Sequence, residues 1–246
     1  MLPRRLPRDI RLLCTLAFLV FALQGSSATA IGETDVLPRM RQAALTLREA
    51  RTYDFAGRVV RCQPNQQVGI MAESHGNLAI TNVVVDGCRV GIVATGPSVR
   101  VEGATIRDTE MCMFLAGSGG TVSHNSATRC TIGIVVTGNG NTLTDNQSND
   151  NIQDGILVTG DANLLEGNEV LRNGEVGIHV VRMVAMVAEN GFLPFIQDLA
   201  TGNVIRGNRA SDNKVDLEEF GDCVVAPLPN QWINNRFRTG RPDCIE

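Results

Sequence analysis

Residues 133–155 read GIVVTGNGNTLTDNQSNDNIQDG, and this stretch is one turn of an internal repeat that runs through most of the chain. A glycine followed by isoleucine marks each turn, and Cys112-Met113 takes the place of this pair once. The glycines stand at residues 69, 91, 133, 155 and 177, so the steps through residue 112 are 22, 21, 21, 22 and 22 residues. An asparagine keeps the same spacing at Asn82, Asn125, Asn146, Asn168 and Asn208, with Gly103 substituting once. A period of this length is typical of a solenoid.

The composition of the repeat indicates which kind of solenoid it forms. Each turn contains three short runs in which apolar and polar residues alternate, and Gly, Asn and Asp separate these runs. The leucine framework of leucine-rich repeats and the 3.6-residue periodicity of helical repeats are both absent. We therefore predict an all-β solenoid in which every turn is a three-sided coil of strands.

Stacking of the coils predicts ladders of equivalent residues. Neighbouring parallel strands lie about 4.8 Å apart, so Ile92, Ile134, Ile156 and Ile178 should form an inward aliphatic ladder. The repeated asparagines fall where the chain turns. Asn tolerates a left-handed backbone, and its amide can bond to the coils above and below.

Residues 1–30 have the pattern of a secretory signal peptide. Arginines at positions 4, 5, 8 and 11 precede an apolar run at 12–23 and the small-residue end Ala28-Thr29-Ala30. The apolar run is too short for a membrane span. The sequence predicts a soluble exported protein, secreted or periplasmic.

The charge of the chain after residue 30 argues against nucleic acid as a partner. Removing the leader reduces the basic residues from 22 to 18 and the acidic residues from 26 to 25, so the net charge is −7. The sequence leaves the oligomeric state open.

Residues 31–52 differ in kind from the repeat. Met40, Ala43, Ala44, Leu47 and Ala50 recur at helical spacing after Pro38. An open solenoid exposes an edge at each end. We therefore predict a short N-terminal helical cap at 31–52, followed by the solenoid at 53–246.

The spacing breaks once, at an insertion of about residues 182–202, RMVAMVAENGFLPFIQDLATG. This segment is unusually apolar for a loop, so it should fold onto the protein. Its predicted target is the outward apolar stripe of Met71, Val93, Phe114, Val135 and Leu157, which would otherwise be an exposed patch. The segment is either a flap packed on one sheet or the wall of a binding groove.

The end of the chain carries a family resemblance. The pattern is Asp216-Leu217, Cys223, Asn230, Trp232, Asn235 and Phe237, then Pro242 and Cys244-Ile245. It resembles the closing segment of secreted bacterial proteins of the right-handed parallel β-helix repeat group, which has the pectin-lyase-like fold. The resemblance implies a right-handed parallel β-helix of about eight coils and a Cys223–Cys244 disulfide that clamps the last coil.

Four further cysteines, Cys62, Cys88, Cys112 and Cys130, have no pairing determined by the sequence. Cys88 and Cys130 share one register two coils apart, or about 9.6 Å, which is too far for a disulfide. Six cysteines in all allow fifteen pairings.

The resemblance implies, by fold, polysaccharide lyases, hydrolases and uronate epimerases, which work in a groove along one sheet. The outward band after the glycines contains no pair of carboxylates of the kind that glycoside hydrolysis needs. We therefore expect a protein that interacts with carbohydrate polymers without clear catalytic residues and without a cofactor. Asp161, Thr137 and Thr159 are its candidate binding residues.

An enzymatic alternative centres on His179. It takes an outward place that apolar residues hold in earlier coils, Arg182 follows it, and Asp154 lies one coil before. A histidine and an arginine could abstract a proton and neutralise a carboxylate in a lyase or epimerase reaction, with a carboxylate tuning the histidine. A solvated surface histidine is the simpler interpretation.

A second alternative is periplasmic copper handling. His179, Met183 and Met186 offer an imidazole and two thioethers, which are ligands that copper favours. A periplasmic β-helix group that takes part in copper delivery to nitrous-oxide reductase has similar asparagine-rich repeats. Methionines in an apolar insertion are more often packing residues.

Overall fold

Three short strands make up each coil, and each strand pairs in parallel with its counterpart in the next coil. The structure is a computed structural model, and it describes residues 43–184, 187–188, 191–192, 196–198, 200–219, 229–243 and 245. The alternating runs are short because each strand spans one side of the coil before the chain turns.

The strands of the first four coils are three to six residues long. In chain order they are β1 (Ala43–Leu47), β2 (Thr52–Asp54), β3 (Val59–Arg61), β4 (Val68–Glu73), β5 (Ala79–Thr81), β6 (Val84–Asp86), β7 (Val90–Thr95), β8 (Arg100–Glu102), β9 (Thr105–Arg107), β10 (Met111–Ala116), β11 (Thr121–Ser123) and β12 (Ser126–Thr128).

The remaining strands include four from the insertion. They are β13 (Ile132–Thr137), β14 (Thr142–Thr144), β15 (Gln147–Asn149), β16 (Ile156–Thr159), β17 (Leu164–Glu166), β18 (Glu169–Leu171), β19 (Val176–Val180), β20 (Arg182–Val184), β21 (Val187–Ala188), β22 (Gly191–Phe192), β23 (Ile196–Asp198), β24 (Val204–Arg206), β25 (Arg209–Ser211), β26 (Val215–Glu219), β27 (Gln231–Ile233) and β28 (Gly240–Arg241).

Three parallel sheets run the length of the solenoid. Sheet 1 has nine strands in the order β1-β4-β7-β10-β13-β16-β19-β26-β28, and sheet 2 has eight, β2-β5-β8-β11-β14-β17-β24-β27. Sheet 3 has seven strands, β25-β18-β15-β12-β9-β6-β3. The predicted all-β parallel helix of about eight coils is confirmed.

The predicted helical cap is wrong over the part that the structure describes. Ala43–Leu47 is strand β1, which pairs in parallel with β4 and places Leu45 beside Ile70. The small apolar residues that suit a helix at this spacing also suit the first strand of a sheet, and pairing satisfies the backbone of β4. The first coil therefore includes residues 43–47, while residues 31–42 of the predicted cap, and the predicted signal peptide, lie outside the described residues.

The core is the predicted aliphatic ladder. The four isoleucines at 92, 134, 156 and 178 are fully buried and lie in register along sheet 1, with Met113 between Ile92 and Ile134. The apolar residues two places later, Ala94, Val136, Val158 and Val180, are buried with them in a single cluster. Close packing of identical side chains explains why this part of the repeat varies so little.

The marker glycines stand where a side chain would collide with the next coil. A Cβ on Gly133 would lie 1.9 Å from Ser148 Oγ and 2.5 Å from the Gly155 carbonyl oxygen. At Cys112 the residue in the corresponding register is the small Ala127, since a Cβ on Gly91 would meet Ile106 and one on Gly133 would meet Ser148. In register with Ala127, the adjacent coils carry the larger Ile106 and Ser148.

Two disulfides join residues that the sequence left unassigned. Cys62 bonds to Cys88, and Cys112 bonds to Cys130, with Cα–Cα distances of 5.1 Å and 5.8 Å. They close loops of 26 and 18 residues, which is about one coil of chain each. The predicted Cys223–Cys244 bridge lies outside the described residues.

Asparagine ladders occupy all three corners of the coil, whereas the sequence predicted one. Their members are Asn125, Asn146, Asn168, Asn208 and Asn235 between sheets 2 and 3; Asn141, Asn163, Asn203 and Asn230 between sheets 1 and 2; and Asn151, Asn173 and Asn213 between sheets 3 and 1. In each ladder the side-chain amides bond from coil to coil, as predicted.

The left-handed backbone is found one residue before the ladder asparagine. His124 and Asp145 have φ of 56° and 53°, and they precede Asn125 and Asn146. Asn82 has φ of 55° and therefore belongs to this preceding position, in register with Gly103. Nine of the twelve ladder asparagines are buried, with their amides satisfied within the corner, whereas Asn213, Asn230 and Asn235 at the C-terminal end are partly exposed.

Candidate functional site

The outer face of sheet 1 is apolar over most of its length. The predicted outward stripe, Met71, Val93, Phe114, Val135 and Leu157, runs in register from β4 to β16 and is at most 8% exposed. The stripe belongs to a second hydrophobic cluster, separate from the core inside the coil, that also contains Val181. The stripe is therefore not an exposed apolar surface.

The insertion leaves the solenoid next to this stripe. Strand β20 pairs antiparallel with β23, and β21 pairs antiparallel with β22, so the backbone forms a hairpin. Strand β20 also lies against β16 of sheet 1. Whether the side chains of the insertion cover the stripe, as predicted, lies outside the described residues.

The same outward column becomes polar at the C-terminal end of sheet 1. Leu157 is followed in register by His179 on β19, Glu218 on β26 and Arg241 on β28. Neighbouring strands of a sheet are about 4.8 Å apart, so these side chains emerge one coil after another. Together with Asp154 they form what we call the polar patch.

His179 and Asp154 are in direct contact. The distance between His179 Nδ1 and Asp154 Oδ2 is 3.2 Å, and each side chain is only 15% exposed. The other carboxylate oxygen of Asp154, Oδ1, accepts a hydrogen bond from the Val176 backbone N–H at 3.1 Å. The carboxylate is therefore held from two sides and orients the imidazole. A proton on Nδ1 leaves Nε2 as the nitrogen that can accept a proton from a ligand.

Asp154 reaches His179 because it occupies the first outward place of its coil. The equivalent places in neighbouring coils hold Ile132 and Val176, which are buried. Asp154 lies three residues before Leu157, which is the register partner of His179 on the preceding coil, so its carboxylate can reach across to the imidazole. The predicted pairing of these two residues is thus present in the structure.

Glu218 was missed from the sequence, although a signal was present. The segment VGIHV at 176–180 repeats as VDLEE at 215–219, so Glu218 corresponds to His179. The insertion lengthens this step to 39 residues, and Asp216 replaces the marker glycine. With Asp154 one coil before and Glu218 one coil after, His179 lies between two carboxylates.

The remaining predicted site residues occupy other places, at the end of sheet 1 and at the corner that follows it. Thr137 and Thr159 are register neighbours in the next outward column of sheet 1, where Thr137 is buried and Thr159 is partly buried. Thr137 Oγ1 has no hydrogen-bond partner among the described residues. Asp161 lies at the corner after this sheet, and its Oδ1 accepts hydrogen bonds from the backbone N–H and hydroxyl of Thr201.

The residues of the insertion that were candidates for catalysis or copper binding are described only in part. The backbones of Arg182 and Met183 belong to β20, but their side chains lie outside the described structure, as does Met186. Within the described residues, no group of three or more His, Cys, Asp or Glu side chains could hold a metal ion. The same part of the chain contains no helix long and apolar enough to cross a membrane.

Comparison with known proteins identifies the repeat and the fold. The family model described as "Right handed beta helix region" matches residues 54–192. No curated protein sequence matches the chain significantly.

Solved structures resemble the chain in fold. One is a mutant of the periplasmic alginate epimerase AlgG, with a TM-score of 0.63 and 19% sequence identity over 80% of this chain and 48% of that chain. Another is the A-module of the mannuronan C-5 epimerase AlgE6 from Azotobacter vinelandii, with a TM-score of 0.45 and 12% identity over 71% of this chain and 64% of that chain. The chain spans about half the length of the AlgG structure.

Proposed function

Because the chain belongs to the right-handed β-helix family, we propose that it is an exported protein that interacts with carbohydrate polymers through the polar patch. One observation carries this proposal. The outer face of sheet 1 is apolar and buried up to Leu157, and beyond it Asp154 contacts His179, while Glu218 and Arg241 follow His179 in register. Polar side chains concentrated at one end of a long sheet face favour a ligand that lies across neighbouring coils.

The chemistry of the polar patch suits a sugar polymer. Carboxylates and a neutral imidazole accept hydrogen bonds from hydroxyl groups, while a guanidinium donates to sugar oxygens or pairs with a uronate carboxylate. The side chains repeat along the sheet at about the strand spacing of 4.8 Å. An extended chain of sugars can therefore contact several of them at once.

Three observations support export. The two disulfides are of the kind that persist in oxidising compartments. Residues 1–30 also have the composition of a signal peptide. The AlgG structure with the same fold is of a protein described as periplasmic.

A binding screen tests the proposal. We expect the protein that begins at residue 31 to bind one class of polysaccharide on a glycan array, and His179→Ala to bind that class less. His124→Ala is the matched control because His124 is an exposed corner residue. Absence of binding to every polysaccharide, or equal binding by His179→Ala and the native protein, would refute the proposal.

Proton transfer is the second candidate function, and the His179–Asp154 contact favours it. In this reaction His179 Nε2 removes the proton on the carbon next to a uronate carboxylate, while Asp154 stabilises the imidazolium through Nδ1–H. In a lyase reaction the bond between the adjacent carbon and the glycosidic oxygen then breaks, a double bond forms, and the departing oxygen takes a proton from the imidazolium or from water. In an epimerase reaction water delivers a proton to the opposite face of the same carbon, and the imidazolium releases its proton to solvent.

Two readouts separate these reactions. Incubation of uronate polymers in D2O reports epimerisation as deuterium incorporation, whereas elimination creates the ultraviolet absorbance of an unsaturated uronate. His179→Ala should abolish either signal. If the native protein gives neither signal on any uronate polymer that it binds, the polar patch is a binding site alone.

A further inference from the structure

The three asparagine ladders have a common polarity. In every step the backbone N–H and the side-chain Nδ2 of one asparagine donate to the Oδ1 of the asparagine in the next coil. At the N-terminal end, the first Oδ1 accepts from a backbone N–H, such as that of Gly120. Each ladder must therefore end, at the C-terminal end, in donors that need an acceptor.

Two of the ladders end on carboxylates of the same strand, β26. Asn213 Nδ2 donates to Asp216 Oδ1 at 3.0 Å, and Asn230 Nδ2 donates to Glu219 Oε2 at 2.9 Å. These carboxylates are 1% and 6% exposed. Hydrogen bonds to an ionised acceptor are stronger than those between neutral groups. An anion is also favoured at the positive end of aligned amide dipoles, as it is at a helix N-terminus.

The same two carboxylates fasten the last coil to β26. Asp216 Oδ2 accepts hydrogen bonds from the backbone N–H groups of Arg238 and Thr239 at 2.9 Å and 3.1 Å. Glu219 Oε2 also accepts from Trp232 Nε1 at 2.8 Å. Both ends of β26 are thus held by hydrogen bonds to buried carboxylates, and Glu218, which lies between them, is in register with His179.

We infer that Asp216 and Glu219 are positioning residues, which terminate two asparagine ladders and thereby hold Glu218 beside His179. This inference rests on the proposed function in one respect, namely that the polar patch binds a ligand. The contacts themselves do not depend on a ligand. The difference between the two carboxylates provides a matched comparison.

The two carboxylates differ in how well an amide side chain could take over their hydrogen bonds. Asp216 accepts four donors on two oxygens, namely the N–H and Nδ2 of Asn213 and the N–H groups of Arg238 and Thr239. An amide has one acceptor oxygen and one NH2 group, which is a donor. In Asp216→Asn, two of these four donors would therefore face the NH2 group and lose their acceptor. Among the described residues Glu219 accepts two donors, both on Oε2, so the oxygen of a glutamine can accept both.

Proton NMR of the histidine rings tests the inference without a ligand. The chain has three histidines, and His75 and His124 serve as internal references. At one fixed pH, Glu218→Gln should shift the His179 ring resonances because it removes a neighbouring charge. Asp216→Asn should shift them in the same direction by at least half as much, and Glu219→Gln by less. The His75 and His124 resonances should stay in place in all three variants.

Two outcomes would overturn the inference. One is a His179 signal that Glu218→Gln moves and Asp216→Asn leaves unchanged, and the other is a His179 signal that Glu218→Gln itself does not move. If Asp216→Asn does not fold, hydrogen exchange in the native protein decides. The amides of Arg238 and Thr239 should then exchange as slowly as those of β19, and fast exchange would show that Asp216 does not hold the last coil. Glycan binding is measured in a separate experiment. If the protein binds no glycan, the NMR result still shows whether Asp216 positions Glu218 beside His179.

Discussion

Gly155→Ala is expected to lower the free energy of unfolding by about 3 kcal/mol, at the upper end of the usual cost of overpacking a core. A Cβ at residue 155 would lie 2.2 Å from Val170 Cγ1, 2.7 Å from Asn173 Nδ2 and 2.8 Å from the Gly177 carbonyl oxygen. The obstacles include backbone and ladder atoms, which cannot rotate away. Chemical denaturation of the variant, followed by circular dichroism, measures the change.

Two further variants distinguish the steric cost of the added Cβ from the backbone strain that any glycine substitution can cause. Gly140 has φ of 66° and open space around its Cβ position, so Gly140→Ala should cost only about 1 kcal/mol of backbone strain. Adding Val170→Ala to Gly155→Ala should recover part of the loss, because Cys112 is accommodated in the same way opposite Ala127. Strictly additive effects in this double-mutant cycle would contradict the collision.

Asn146→Ala is expected to lower the free energy of unfolding by about 3–4 kcal/mol, because each buried polar group left without a partner costs about 1–3 kcal/mol. Asn146 is fully buried in its ladder. Its Oδ1 accepts from the N–H and Nδ2 of Asn125, while its Nδ2 donates to the Val122 carbonyl and to Asn168 Oδ1. Thermal unfolding measures the loss.

The control for this variant is an asparagine outside the ladders. Asn65 is exposed in the turn before β4, so Asn65→Ala should leave the midpoint of unfolding nearly unchanged. Native-state hydrogen exchange adds a local test, since the Asn125 amide should lose protection in Asn146→Ala. Equal stability of the two variants would mean that water replaces the ladder contacts and that the ladder is not a source of stability.

The repeat predicted the fold because stacking imposes the same constraint on every coil. The isoleucine after each marker glycine must fill the same interior place, and the glycine must avoid the coil above it. Both requirements produce a period in the sequence that can be recognised without knowledge of the tertiary contacts. The same period placed the outward stripe and His179 correctly.

Features that depend on a single coil were harder to predict. Asn141 and Asn151 begin ladders, yet in the sequence they look like ordinary turn residues. The Cys62–Cys88 and Cys112–Cys130 pairs depend on three-dimensional distances that spacing alone does not rank. Strand β1 has small apolar residues whose spacing fits a helix as well as a strand.

The polar patch was predicted in part for the same reason. His179 and Asp154 lie on either side of an uninterrupted step of the repeat, so their proximity followed from the register. Glu218 comes after the insertion, in a coil whose marker glycine is replaced by Asp216. Glu218 is recognised as the counterpart of His179 only when the residues of the inserted hairpin are left out of the repeat spacing.

Isothermal titration with an oligosaccharide of the class that the protein binds tests the central claim most directly. We expect His179→Ala to weaken the affinity at least tenfold, since about 1.4 kcal/mol corresponds to a factor of ten, and His124→Ala to leave it unchanged. Glu218→Gln should weaken binding by a smaller factor. Native affinity in both His179→Ala and Glu218→Gln would contradict the assignment of the polar patch as the carbohydrate site.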